Sequence, residues 1–174
     1  MSSLNTLNDL YLEELRDIYS AETQILEALP KMIKKASAQE LKDAFTEHLD
    51  QTKIHVERLQ EIFEALEEKP EGKTCKGMEG AIEEGAEILK MDGEPSILDA
   101  ALIGAAQRVE HYEIAAYGTA ATHAEQLGEN DAKDLLGTTL EEEKETDELL
   151  TELAVSTIQE EVEEEELTDD EETK

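Results

Sequence analysis

Apolar residues recur at spacings of three and four along almost the whole chain, and no stretch shows the β-branched alternation of a strand. The pattern predicts an all-helical protein. A first helix is expected from about Leu4 to Ala36, with Leu7, Tyr11, Leu15, Ile18, Ile25, Leu29 and Met32 on one stripe. Pro30 interrupts that stripe, so a kink or local break is expected beside it. Ser37 and Glu40 have the spacing of a capping box, which starts a second helix reaching about Glu68, with Leu41, Phe45, Leu59, Ile62 and Leu66 inward. Pro70, Gly72, Cys75 and Gly77 read as loop, and Met78 to Met91 as a short amphipathic segment weakened by glycines. After the turn Asp92-Gly93-Glu94-Pro95, Ser96 and Asp99 can cap a third long helix that Gly128 ends near Leu127. Asn130 then opens a fourth, continuing through Ala154.

Short joints make the first and second long helices antiparallel neighbours, and likewise the third and fourth. Between the second and third lie about 27 residues, enough to run the length of helices that span about 40–50 Å. The expected architecture is therefore an all-α, ferritin-like four-helix bundle with a long crossover containing a short extra helix between helices two and three. The bundle should occupy residues 1–158. Residues 159–174 form an acidic tail, including Glu160-Glu161-Val162-Glu163-Glu164-Glu165-Glu166, expected to be disordered or a frayed helix.

Polar residues interrupt each stripe at its middle. Glu22 falls between Ile18 and Ile25. His48, Thr52 and His55 fall between Phe45 and Leu59, with Glu110, Glu113 and Tyr117 in the third helix and Glu143 and Asp147 between Leu140 and Leu150. The depths agree: Glu22 and Thr52 stand equally far from the turn at Ser37, as Glu113 and Glu143 do from Gly128. In so acidic a chain some carboxylates fall on any stripe by chance. Several buried together, each costing several kcal/mol if uncompensated, would consume much of a domain's ~5–15 kcal/mol stability. They must be protonated, solvated or bound to cations. Two metal ions bridged by carboxylates, with imidazoles completing the shell, resolve the charge; such oxygen-rich ligation suits iron or manganese, iron the more so. Arg58 and Arg108 flank the seam as supporting partners. Tyr117 can bond a ligand carboxylate one turn away or simply pack.

Charge narrows the partners. The 174 residues carry 46 acidic and 15 basic side chains, a net −31; the tail accounts for nine of those charges and leaves −22 on the rest. This disfavours nucleic acid and anionic membrane, both of which need a basic face. A salt-filled cytoplasm would screen such self-repulsion, although twelve lysines against three arginines do not add to that reading. One cysteine, Cys75, allows no internal disulfide, and its lysine-flanked position suggests an inert or dimer-linking thiol. With no long apolar run and no signal-like start, the chain is expected to be cytoplasmic.

Leu15-Arg-Asp-Ile-Tyr-Ser-Ala-Glu22, Phe45-x-x-His48-Leu-x-x-Thr52, the block from Asp99 through Arg108-Val-Glu110-His-Tyr-Glu113 to Tyr117-Gly118, and Leu140-Glu-Glu-Glu143-Lys-x-Thr-Asp147 resemble the YciE/YciF stress-protein family of the ferritin-like superfamily. The resemblance covers roughly residues 5–155. It implies a ferritin-like bundle forming a homodimer or higher homo-oligomer, with metal ligands on Glu22, His48, Glu110, Glu113, Glu143 and Asp147. Gln51, Thr52, His55, Tyr117 and Arg58 are left as supporting or alternative ligands. The chain departs from the superfamily in lacking a Glu-x-x-His pair in its second and fourth long helices. The implied function is a di-metal stress protein that removes peroxide or dioxygen, or oxidises iron. The alternative is a non-catalytic bundle, metal-stabilised or metal-free, serving as an interaction protein.

Overall fold

Helix α1 (Leu7–Lys35) begins where Thr6 and Asp9 exchange capping bonds, the Thr6 hydroxyl accepting from the Asp9 amide and the Asp9 carboxylate from that of Thr6. It runs unbroken through Pro30, contrary to a local break. Pro30 is exposed, so the acceptor that loses its amide partner lies near water. The computed structural model describes residues 4–70 and 72–172, with side chains described to residue 156. The other helices are α2 (Gln39–Ala65), α3 (Lys76–Ile88), α4 (Pro95–Leu127) and α5 (Asn130–Glu172), and no strand occurs among the described residues. None of the helices is long and apolar enough to cross a membrane. The α5 backbone is helical through Glu172, while the acidic side chains expected to form a loose tail lie outside the described residues.

Two expected caps are replaced. The Ser37–Glu40 capping box does not form: the N-cap of α2 is Ala38, without a side-chain bond. Instead the buried carboxylate of Asp99, on α4, accepts from the Ser37 and Ala38 amides at 2.8 and 2.7 Å. One carboxylate that meets two adjacent amides outcompetes a local serine. Asp99 is thereby diverted from the α4 start, which has Pro95 in its first turn and no side-chain cap. Gly128 ends α4 in the left-handed region at φ 80°, as its position suggests.

Helices α1 and α4 are antiparallel, as Glu14 meets His123, Glu22 meets Tyr117, and Ser37 meets Asp99. Helices α2 and α5 are antiparallel too: Arg58 bonds Thr139 and Glu142, while Gln51 stands by Leu149. The segment joining α2 to α4 starts where Arg16 pairs with Glu68 at 2.7 Å and finishes where Lys35 bonds the Met91 carbonyl at 2.8 Å. It therefore runs alongside α1 from the level of Arg16 to its C-terminal end at Lys35, carrying α3.

Cys75 fastens α3. Its thiol accepts from the Met78 amide as the N-cap and lies 2.9 Å from the Tyr112 hydroxyl, which donates to Asp17 at 2.5 Å. Full burial corrects the dimer-linking reading, since no second chain can reach the sulfur, and burial pushes the thiol pKa up, which keeps it inert.

Apolar side chains gather in two clusters. One includes Ile25, Leu29, Phe45, Leu102 and Leu150; the other includes Tyr11, Leu15, Leu59, Phe63 and Leu136. Each of α1, α2, α4 and α5 contributes to both, so the residues between its two contributions are held at mid-bundle.

Candidate metal centre

At that level all four long helices turn polar side chains inward. Glu22 from α1, His48, Thr52 and His55 from α2, Glu110 and Glu113 from α4, and Glu143 from α5 are all buried. Two groups of ligand atoms result, His48 with Glu110, Glu113 and Glu143, and Glu22 with His55 and Glu143; within each group one atom per residue lies within 4.8 Å of the others. Glu143 belongs to both. Its Oε1 is 3.0 Å from His55 Nδ1 and its Oε2 is 4.0 Å from His48 Nδ1. His48 Nε2 lies 3.3 Å from Glu110 Oε1, and His55 Nδ1 lies 3.4 Å from Glu22 Oε1.

The donor set is underemployed. Both ring nitrogens of His48, His55 Nδ1, both oxygens of Glu113 and of Glu143, and one oxygen each of Glu22 and Glu110 are buried without a hydrogen-bond partner. Orphaned buried polar atoms are rare because each costs about 1–3 kcal/mol, more if charged. Burial raises the pKa of Glu22 and drives those of Glu110 and Glu113 well up, helped in both by the Glu143 charge. Burial pushes Glu143 the same way, but the positively charged His55 ring 3.0 Å away holds it below the ordinary value. For His55, burial is outweighed by Glu143 and Glu22, which lift it to about 10. His48 is lowered by burial and so kept neutral, the form that binds metal. These residues fit a divalent metal pair: hard carboxylates and two imidazoles face one another, and positive charge would relieve every raised carboxyl.

The surroundings fix the ligands. His55 Nε2 lies 2.9 Å from Glu142, which Arg58 grips with both guanidinium branches at 2.5 and 2.9 Å. This arginine–carboxylate–imidazole chain leaves Nδ1 directed at the centre. Tyr117 donates to Glu22 from a phenol whose pKa burial drives well up, so it stays a donor.

The expected ligands divide. Glu22, His48, Glu110, Glu113 and Glu143 come together, and His55, expected as a supporting or alternative ligand, stands among them. Asp147 stands apart, half-buried, accepting from Gln107 at 3.2 Å and lying 3.3 Å from the exposed His111. The Thr52 hydroxyl is spent on the His48 carbonyl at 2.8 Å. Gln51 sits at the rim beside His48, and Arg108 bonds back to the Gly104 carbonyl of its own helix. Glu142 is the residue that sequence reading missed; the signal available was Arg58, three positions beyond His55 on the same helix.

Residues 6–163 match the model of a family described as a domain of unknown function, DUF892. The chain is 45% identical over 157 residues to Protein YciF of Escherichia coli strain K12, which covers 90% of this chain and 95% of that protein. The crystal structure of the E. coli stress protein YciF superposes with a TM-score of 0.87 over 90% of this chain and 99% of that one, at 45% identity. YcfI of Rhodopseudomonas palustris superposes with a TM-score of 0.82 at 44% identity, over 87% and 98% of the two chains. The protein belongs to the DUF892 family and is a YciF-like member of it.

Proposed function

We propose that the protein is a ferritin-like di-metal protein of stress defence, holding two ions, iron in preference to manganese, at mid-bundle. His48, Glu110, Glu113 and Glu143 would hold one ion and Glu22, His55 and Glu143 the other, Glu143 being common to both groups. The observation that carries this reading is the set of buried ligand atoms without partners, drawn from four helices. Such a pair, when bound, supplies redox-active centres able to exchange electrons with peroxide or dioxygen.

The protein's own groups do the positioning. Arg58 and Glu142 hold the His55 ring so that its Nδ1 stays turned toward Glu22 and Glu143, where it would face the ions. Tyr117 steadies one Glu22 oxygen and leaves the other for the centre. The apolar clusters above and below exclude water, which strengthens each charge interaction between them.

Ligands from four helices also favour a second reading, in which the ions tie the bundle together without turnover. Elemental analysis of protein purified without added metal should find about two iron or manganese atoms per chain. Glu143→Ala should lose both, and a metal-free preparation that cannot be reloaded overturns both readings. Consumption of peroxide or dioxygen by the loaded protein supports the redox reading, and a flat rate at full loading leaves the structural one.

A further inference from the structure

Tyr112, on α4, stands where three helices meet. Its hydroxyl donates to the Asp17 carboxylate of α1 at 2.5 Å, and the sulfur of Cys75, the N-cap of α3, lies 2.9 Å from the same oxygen. Burial would raise the Asp17 pKa, but the bonds it accepts and the Lys73 amine 3.2 Å away hold it below the ordinary value, so it stands as a carboxylate. Burial and the bond to Asp17 push the Tyr112 pKa up, which keeps the phenol protonated. On one side Tyr112 joins Asp17, Lys73 and Thr119 in lining a groove open to water. On the other it shares a peptide bond with Glu113, one of the gathered ligands, and the neighbouring Cys75 is within electrostatic reach of that carboxyl. The remaining tyrosines are placed differently. Tyr11 has a buried hydroxyl without a partner, Tyr19 accepts from Gln60, and Tyr117 donates to Glu22, which belongs to the centre.

A phenol that loses an electron becomes a strong acid, so its oxidation is favoured where a base already holds its proton. We propose that Tyr112 is redox-active and passes single electrons from a small reductant in the groove to the mid-bundle centre, with Asp17 taking and returning its proton. The inference rests on the proposed metal pair for its oxidant, a metal ion oxidised by peroxide or dioxygen. In the first step the phenol gives that ion one electron and Asp17 one proton, which leaves a neutral phenoxyl radical beside a carboxylic acid. In the second a reductant of the ascorbate or thiol class gives the radical one electron, and Asp17 gives back the proton. Phenol and carboxylate are restored, and one electron has moved from reductant to metal. Because electron and proton leave the phenol together, no cation is stranded in a half-dry site. Cys75 stays a thiol throughout and holds the oxygen beside Asp17.

The phenol is tested in the full chain freed of metal by chelation, with flash-generated tris(bipyridine)ruthenium(III) as the one-electron oxidant. Transient absorption and electron paramagnetic resonance should show a phenoxyl radical that Tyr112→Phe removes and Tyr19→Phe leaves. Asp17→Asn keeps a hydrogen-bond acceptor but not a base, so it should slow radical formation about a hundredfold and abolish its dependence on deuterated water. Asp17→Glu should restore both, which a merely structural role for Asp17 would not produce. A radical undiminished in Tyr112→Phe, or formed as fast in Asp17→Asn as in the parent, overturns the proposal. The link to the centre is tested by adding hydrogen peroxide to iron-loaded protein. The same radical should appear in the parent, decay on addition of ascorbate, and be missing from Tyr112→Phe at equal iron content. A fully loaded parent that forms no radical overturns the link. Protein that takes up no iron overturns the proposed centre and the link with it, an outcome that elemental analysis reads separately from the ruthenium experiment.

Discussion

At the scale of single residues, the centre is a set of acids whose protonation opposes their function. In metal-free protein Glu110 and Glu113 keep protons that the unfolded chain has released above about 4.5. Stability should therefore fall as pH rises from that value through their raised pKa values, by about 1.4 kcal/mol per pH unit for each retained proton. His55 acts in the same sense: its contribution is complete below 6.5 and is lost as pH rises through about 10. Glu143 runs oppositely, contributing above 4.5 and losing that contribution in acid. The chelated protein should thus melt lower at mildly alkaline than at mildly acidic pH, with Glu113→Gln flattening the slope; calorimetry across pH checks it, and an unchanged slope in the variant would refute the assignment. For loading, Glu22→Ala should cut metal content and remove the stabilisation that metal gives, about 2.7 kcal/mol for a site at one hundred times its Kd. Glu57→Ala, on the exposed face of α2, should do neither. Much of this cluster was legible because carboxylates and histidines broke four apolar stripes at one depth. Asp147 keeps the same spacing but lies far enough around α5 to meet Gln107 and His111, a rotation of a few tens of degrees that periodicity does not resolve.

Whole elements were easier to place than their ends. Stripes of apolar residues located all five helices, because burial of one face decides a helix more strongly than any cap. The ends depend on partners distant in sequence, and Asp99 shows this: read locally it caps α4, yet its carboxylate closes α2 across 61 and 62 residues of chain. Asp99→Ala should leave the Ser37 and Ala38 amides without their side-chain acceptor and cost about 1 kcal/mol, the usual worth of a helix cap. Asn at the same place retains one acceptor and should recover part of the loss; urea midpoints of the three proteins measure it, and an alanine variant as stable as the parent would show that Ser37 takes over. Gly77 carries a second test. A Cβ there would lie 2.5 Å from a ring carbon of Tyr112, so Gly77→Ala should displace the phenol from Asp17 and Cys75 and loosen α3. Hydrogen exchange should quicken in α3 while α2 and α5 keep their protection.

The whole molecule has a charge problem of two ranges, and they can be told apart. A net −31 spread over a bundle repels itself at distances of a Debye length or more, and that repulsion yields to any salt: about 10 Å of screening length at 0.1 M becomes about 3 Å at 1 M. Acids at mid-bundle are beyond the reach of mobile ions, so monovalent salt should scarcely help them. Thermal midpoints should therefore rise with KCl up to about molar concentration in the parent and in Glu143→Ala alike, because the surface is the same in both. Micromolar manganese or anaerobic ferrous iron should raise the midpoint further in the parent at every KCl concentration, and not in the variant. If molar salt erased the metal response of the parent, the ions would be serving as surface counterions, and the buried centre would have to hold its protons instead. If the metal response persisted at full size in molar KCl, the two reliefs would be independent, as expected when one acts on the exterior field and the other on groups that water cannot reach.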